Sequence, residues 1–127
     1  MQALLLISHG SRVPAMYAEV AQLVDRLERH GQFDRVQAAF LDCGEPDIPA
    51  AVRACVAAGA DEIFVLLNFL NTGRHVAQDI PELLKQAGQE FPHVHFYASK
   101  HLAAYPEQDH VYLQIIQSLK NNAIKTS

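Results

Sequence analysis

Seven histidines stand in a chain of 127 residues, where ordinary composition gives about three. Neutral imidazole is a common metal ligand, and it titrates close to working pH. Two of the seven lie in segments built for more than solubility. His9 opens His9-Gly10-Ser11-Arg12 directly behind an apolar run, and His75 closes Asn71-Thr72-Gly73-Arg74-His75. Each segment joins an imidazole to a glycine that lets backbone approach a ligand. Each also carries hydroxyl or amide groups and a guanidinium suited to carboxylates. Asp79 follows His75 by one helical turn, either as a simple i,i+4 partner or as the group that fixes the His75 tautomer.

Each feature has a plain alternative. His9 can cap the following helix as a satisfied loop residue. His75 can be an ordinary first-turn residue, Gly10 and Gly73 ordinary turn glycines, and Arg12 and Arg74 solvated surface cations. What separates these readings is where the elements of the chain place the two segments.

Residues 3–8 form a continuous apolar run, the mark of a strand buried on both faces. From Pro14 to about His30 the apolar positions Met16, Val20, Leu23, Val24 and Leu27 have helical spacing, with Gly31 just beyond. Residues 35–41 read as a second strand, and Asp47 caps a helix over 48–58. Residues 62–67 are the most strand-like of the chain. A helix over about Val76 to Glu90 contains Pro81, so its first turn is broken or the helix proper starts near Ile80. Val94 to Tyr97 gives a fourth strand, and Glu107 to Lys120 a last helix. Residues 1–120 make one domain, with 121–127 a frayed tail.

Strict strand–helix alternation predicts an α/β fold: a flavodoxin-like, doubly wound sheet of four parallel strands, order 2-1-3-4, with helices on both faces. Ligands bind such sheets beyond the carboxyl ends of the strands, where strand order reverses. Here that point lies between the first and third strands. The loops after those strands carry His9 and His75, so the topology brings both histidines and both arginines to one edge.

Composition narrows the class. Net charge is −4, with no basic arm, so nucleic acid is not an expected partner. The N-terminal apolar run is too short for a signal peptide core or a membrane span. Cys43 and Cys55 make no CxxC pair and read as free thiols of a cytoplasmic protein. GxGxxG, GxxxxGK[ST] and GxSxG are all absent, which leaves nucleotide binding and serine hydrolysis unsupported.

The segments together resemble a family. Ser8-His9-Gly10-Ser11-Arg12, then Phe40-Leu41 and Glu45-Pro46-Asp47-Ile48-Pro49, then Phe69-Leu70-Asn71-Thr72-Gly73-Arg74-His75-Val76 and Asp79-Ile80-Pro81 look like the short CbiX/SirB-type sirohydrochlorin chelatases, a class II chelatase group. The likeness runs from residue 3 to about residue 85. It departs at Asn68, where the family often has proline, and it is loose at Lys100-His101.

The resemblance implies a half-chelatase unit: a lyase-type enzyme inserting a divalent metal into sirohydrochlorin for cobalamin or sirohaem. Cobalt comes first, with iron or nickel as alternatives, and no organic cofactor. It implies His9 and His75 as catalytic and metal-binding residues. The neighbouring Gly10, Ser11, Arg12, Asn71, Thr72, Gly73 and Arg74 would contact the tetrapyrrole, with Asp79 behind His75. It also implies a homodimer with the tetrapyrrole between two units. The rival reading is a non-catalytic metal or tetrapyrrole carrier of the same fold.

Overall fold

Four parallel strands form one sheet in the order β2-β1-β3-β4 in a computed structural model. The structure describes residues 1–122, and for His75 the backbone alone. Residues 123–127, expected as a frayed tail, lie outside the described residues, while Asn121 still belongs to the last helix.

The central strand β1 (Gln2–Ser8) pairs with β2 (Arg35–Phe40) on one side and β3 (Glu62–Leu67) on the other. Its six residues from Ala3 to Ser8 are all buried, as a run of apolar residues in mid-sheet requires. β4 (His95–Ala98) adds to β3 at the edge.

Alternation sends Ala3, Leu5 and Ile7 to one face with Ile63, Val65 and Leu67. There α2 (Ile48–Ala57) and α3 (Ile80–Glu90) cover them through Ile48, Val52, Cys55 and Ile80. On the other face Leu6 and Phe40 meet Val20 of α1 (Pro14–Arg29). Helices thus stand on both faces, and the strand order matches the expected one. The last helix, α4 (Glu107–Asn121), has no buried residue and does not share this core.

Local signals act where the sequence places them. Asp47 accepts a hydrogen bond from the Ala50 N–H at 2.9 Å and caps α2. Pro81 removes a backbone donor, and the turn before it is wider than an α-turn: His75–Asp79 is π-helical, and α3 proper begins at Ile80.

Candidate functional site

β1 and β3 diverge in their connections at the carboxyl edge, and the loops that follow them form the crevice between. β1 ends in buried Ser8. The ladder continues one step past each strand: the Leu41 N–H donates to the Ser8 carbonyl at 2.9 Å, and the Asn68 N–H to the Ile7 carbonyl at 2.8 Å. Asn68 thus uses its backbone donor. Its side-chain amide also donates to the Ser8 hydroxyl at 3.0 Å, so the buried hydroxyl is satisfied. The two loops leave the sheet tied together beneath His9.

His9 is exposed, and its Nδ1 lies 3.1 Å from Oδ2 of Asp42. The backbones agree with that pairing, because the Asp42 N–H donates to the His9 carbonyl at 2.9 Å. With Nδ1 engaged by a carboxylate, the ring is held in one orientation. The Phe69 ring stands 6.0 Å away, tilted by 59°, and gives the imidazole an apolar flank.

Asp42 was not among the residues singled out at the site in the sequence, because it follows β2 and lies away from the switch point. A close approach of backbones brings it there. Gly10 has φ +94°, and a Cβ at that position would collide with the backbone carbonyl of Cys43. Gly44 has φ +101°, and a Cβ there would strike the ring of Tyr17. Tyr17 in turn donates to the Ser11 carbonyl at 2.7 Å and packs edge-on against Phe40 at 4.9 Å. Two glycines without side chains let the β1 and β2 loops touch, and one tyrosine clamps them. Gly10 directly after His9 and Gly44 two residues after Asp42 were the signal in the sequence.

Of the remaining expected residues, Ser11 turns the chain locally: its Oγ accepts from the Val13 N–H at 3.0 Å. Arg12, Asn71, Thr72, Gly73 and Arg74 are all exposed on the loops of this edge. Thr72 Oγ1 lies 3.3 Å from His101 Nδ1, which brings the loop after β4 to the loop after β3. His75 begins the π-helical turn, with its side chain outside the described atoms, and exposed Asp79 ends it. The structure thus joins His9 to Asp42 and Thr72 to His101, and it sets the backbone of His75 at the start of the turn that follows the β3 loop. Among the described residues, no cluster of three metal-ligating side chains forms.

Charge divides the edge. Asp42, Glu45 and Asp47 stand on the β2 side, while Arg74 and Lys100 stand on the β3 and β4 side, with Asp79 at the end of the turn after β3 and Arg12 after β1. In a chain of net charge −4 the loops after β1, β3 and β4 thus still carry three exposed fixed cations. An open depression of about 370 Å³ lies beside His9, bounded by Ser8, Met16, Val20 and Asn68. That is near the lower bound of small-ligand pockets. The depression is open to solvent rather than an enclosing pocket.

A CbiX family model matches residues 3–119. The chain belongs to the CbiX family. The match extends past residue 85, where the motif likeness thins, into α4. Over 84 residues this CbiX chain is 37% identical to a sirohydrochlorin cobaltochelatase of Methanocaldococcus jannaschii, covering 66% of this chain and 59% of that protein. Over 93 residues it is 34% identical to a sirohydrochlorin ferrochelatase of Bacillus subtilis, covering 73% of this chain and 36% of that protein. The match spans less than two thirds of the length of either relative. Among solved structures it is similar to the sirohydrochlorin chelatase SirB from Bacillus subtilis subspecies spizizenii in complex with cobalt. The TM-score is 0.74 at 33% identity, covering 79% of this chain and 43% of that one. Among the described residues, no helix is long and apolar enough to cross a membrane.

Proposed function

We propose that this CbiX protein is a sirohydrochlorin chelatase that inserts a divalent metal into its tetrapyrrole. Cobalt is the first choice, with iron and nickel as alternatives. It works in the cytoplasm as one unit of a homodimer, and the metal is a substrate, so the reaction needs no organic cofactor. The observation that carries the reading is His9 held through Nδ1 by Asp42, at the switch point of a CbiX fold, beside the loop that ends in His75.

Insertion exchanges two pyrrole protons for one divalent ion, so the reaction releases two protons and moves no electrons. His9 presents Nε2 to the ion. His75, at the start of the neighbouring turn, is the second ligand, and one of the two imidazoles accepts a pyrrole proton as the metal is passed on. Two protein nitrogens leave most of the coordination sphere to water, which the ring nitrogens replace. Arg12 and Arg74 pair with the acetate and propionate groups of the macrocycle. Gly10, Ser11, Asn71, Thr72 and Gly73 form the floor under its edge. Asp79 orients His75 from behind. A second unit supplies the opposite wall.

Metal-insertion assays with sirohydrochlorin and cobalt, iron or nickel test this directly. The expected result is turnover with at least one of the three metals, lost in both His9→Ala and His75→Ala. Normal turnover in both variants would sink the site. Stoichiometric metal or tetrapyrrole binding without turnover would make the protein a carrier.

A further inference from the structure

The carboxyl edge carries other open depressions besides the one at His9, and two of them differ in charge. One, after β2, is lined by Asp42, Glu45 and Asp47. The other lies after β3 and β4 and has a volume of about 350 Å³. Among the described residues, none that lines it is acidic. Buried Leu67 and Ile80 form its floor, and half-buried Val76 and Leu84 its wall. Exposed Thr72 and Lys100 and half-buried His101 stand at its rim. Their donors gather at one corner: Thr72 Oγ1 lies 3.3 Å from Nδ1 of His101, and Lys100 is the residue before it. An apolar floor under a corner of N–H and O–H donors suits a carboxylate on a short alkyl stem.

The backbone of that corner is held from both sides. The Ser99 N–H donates to the Val65 carbonyl at 2.9 Å. The Ser99 hydroxyl accepts from the Leu67 N–H and donates to the Lys100 carbonyl, each at 2.9 Å. The Lys100 N–H donates to the Tyr105 hydroxyl at 2.9 Å. Further on, the Leu102 and Ala103 N–H groups donate to the Phe69 and Leu70 carbonyls at 2.8 and 2.9 Å. The connection after β4 is thus tied along the loop that leads to His75. With the backbone fixed, a ligand has chiefly the Lys100 side chain to order, which lowers the cost of binding. The depression also adjoins the turn of His75. Val76, the next residue, lines it, and that turn is π-helical, a form frequent at functional sites.

We propose that this depression receives one acetate or propionate arm of the tetrapyrrole, its alkyl stem against Leu67, Val76 and Leu84 and its carboxylate on Lys100 and His101. Lys100 supplies the charge. With the Thr72 hydroxyl donating to Nδ1, His101 carries its proton on Nε2 and adds a second donor. The arms hang from the periphery of the macrocycle, so their anchor belongs beside the metal rather than at it. The inference rests on the tetrapyrrole reading of the preceding subsection and adds the connection after β4 to the loops that hold the substrate. The motif likeness to the family is loose at Lys100-His101, so the anchor is read from the geometry of this chain.

The test is titration of the full chain with metal-free sirohydrochlorin, followed by the visible absorption of the macrocycle, beside cobalt titration of the same samples. Lys100→Glu is expected to raise the sirohydrochlorin Kd by about 10–100-fold, and Lys100→Arg by no more than about threefold. Cobalt affinity should stay within about twofold of the parent, with the far-ultraviolet spectrum unchanged. Lys85→Glu makes the same charge change at an exposed position of α3 outside the depression, and is expected to move the Kd by less than about twofold. Ala98→Leu narrows the apolar end of the depression and is expected to weaken binding by about 5–30-fold. Combined with Lys100→Glu it should add little, because both changes act on one arm. Equal losses in Lys85→Glu and Lys100→Glu would mark attraction by overall charge and overturn the proposal. So would an unmoved Kd in Lys100→Glu, while metal insertion by the parent chain would leave the chelatase reading standing. If propionate shifts the Thr72 and Ser99 amide resonances while that Kd is unmoved, the depression belongs to a free small carboxylate and the proposal falls. A parent chain that neither binds nor metallates sirohydrochlorin would overturn both readings.

Discussion

Replacing Asp42 with alanine isolates what the carboxylate does for His9. The pair is separated by 3.1 Å, and its side chains are 56% and 45% exposed. A hydrogen bond to a charged acceptor contributes about 1.5–3 kcal/mol when sheltered. Half-exposure and ionic screening reduce that to roughly 1–2 kcal/mol, a factor of about 5–30 in metal affinity. Groups that orient a metal-binding imidazole show losses of about 10–100-fold elsewhere, so the two estimates overlap. Cobalt titration followed by the visible spectrum of the bound ion reads the effect. Asp42→Ala is expected to weaken binding by that factor, and Asp42→Asn, which keeps an acceptor oxygen, by less. The effect passes through His9, so Asp42→Ala in a His9→Ala background should cost little more. An Asp42→Ala affinity within twofold of the parent, or an equal loss with and without His9, would refute the reasoning.

Three further outcomes follow from the loops and the core. Gly10→Ala meets the Cys43 carbonyl at φ +94° and should destabilise by about 2–4 kcal/mol, read from urea unfolding. A change below about 0.5 kcal/mol would mean that the loop yields easily. Asn68→Ala leaves the buried Ser8 hydroxyl without its amide donor and should cost about 1–2 kcal/mol, measured in the same way. Burial is the main cause that pushes the Cys55 thiol pKa up, against a smaller lowering by Arg35. The thiolate is thus scarcer than in a free cysteine at any pH below that raised value. Thiol titration at pH 8 should therefore label Cys43 alone in the folded protein and both cysteines in denaturant.

Much of this fold can be read from the sequence because its signals are local. The apolar run of β1, the helical spacing of α1, the Asp47 cap and the Pro81 break each depend on a few adjacent residues. Strand order followed from chain connectivity and the handedness of crossovers. The contact of His9 with Asp42 is different. It joins residues on separate loops, and it exists because Gly10 and Gly44 carry no side chain where those loops meet. Spacing along the chain does not encode that approach. The expected pairing of Asp79 with His75 concerns a side chain outside the described atoms, and its test lies with the metal.

A crystal of the protein loaded with cobalt, with the ion located by its anomalous signal, tests the central claim most directly. The account predicts one cobalt held by Nε2 of His9 and by His75 within about 2.0–2.2 Å, with Asp42 on Nδ1 of His9 and a second chain facing the ion. A cobalt bound elsewhere, or bound by either histidine without the other, would contradict it.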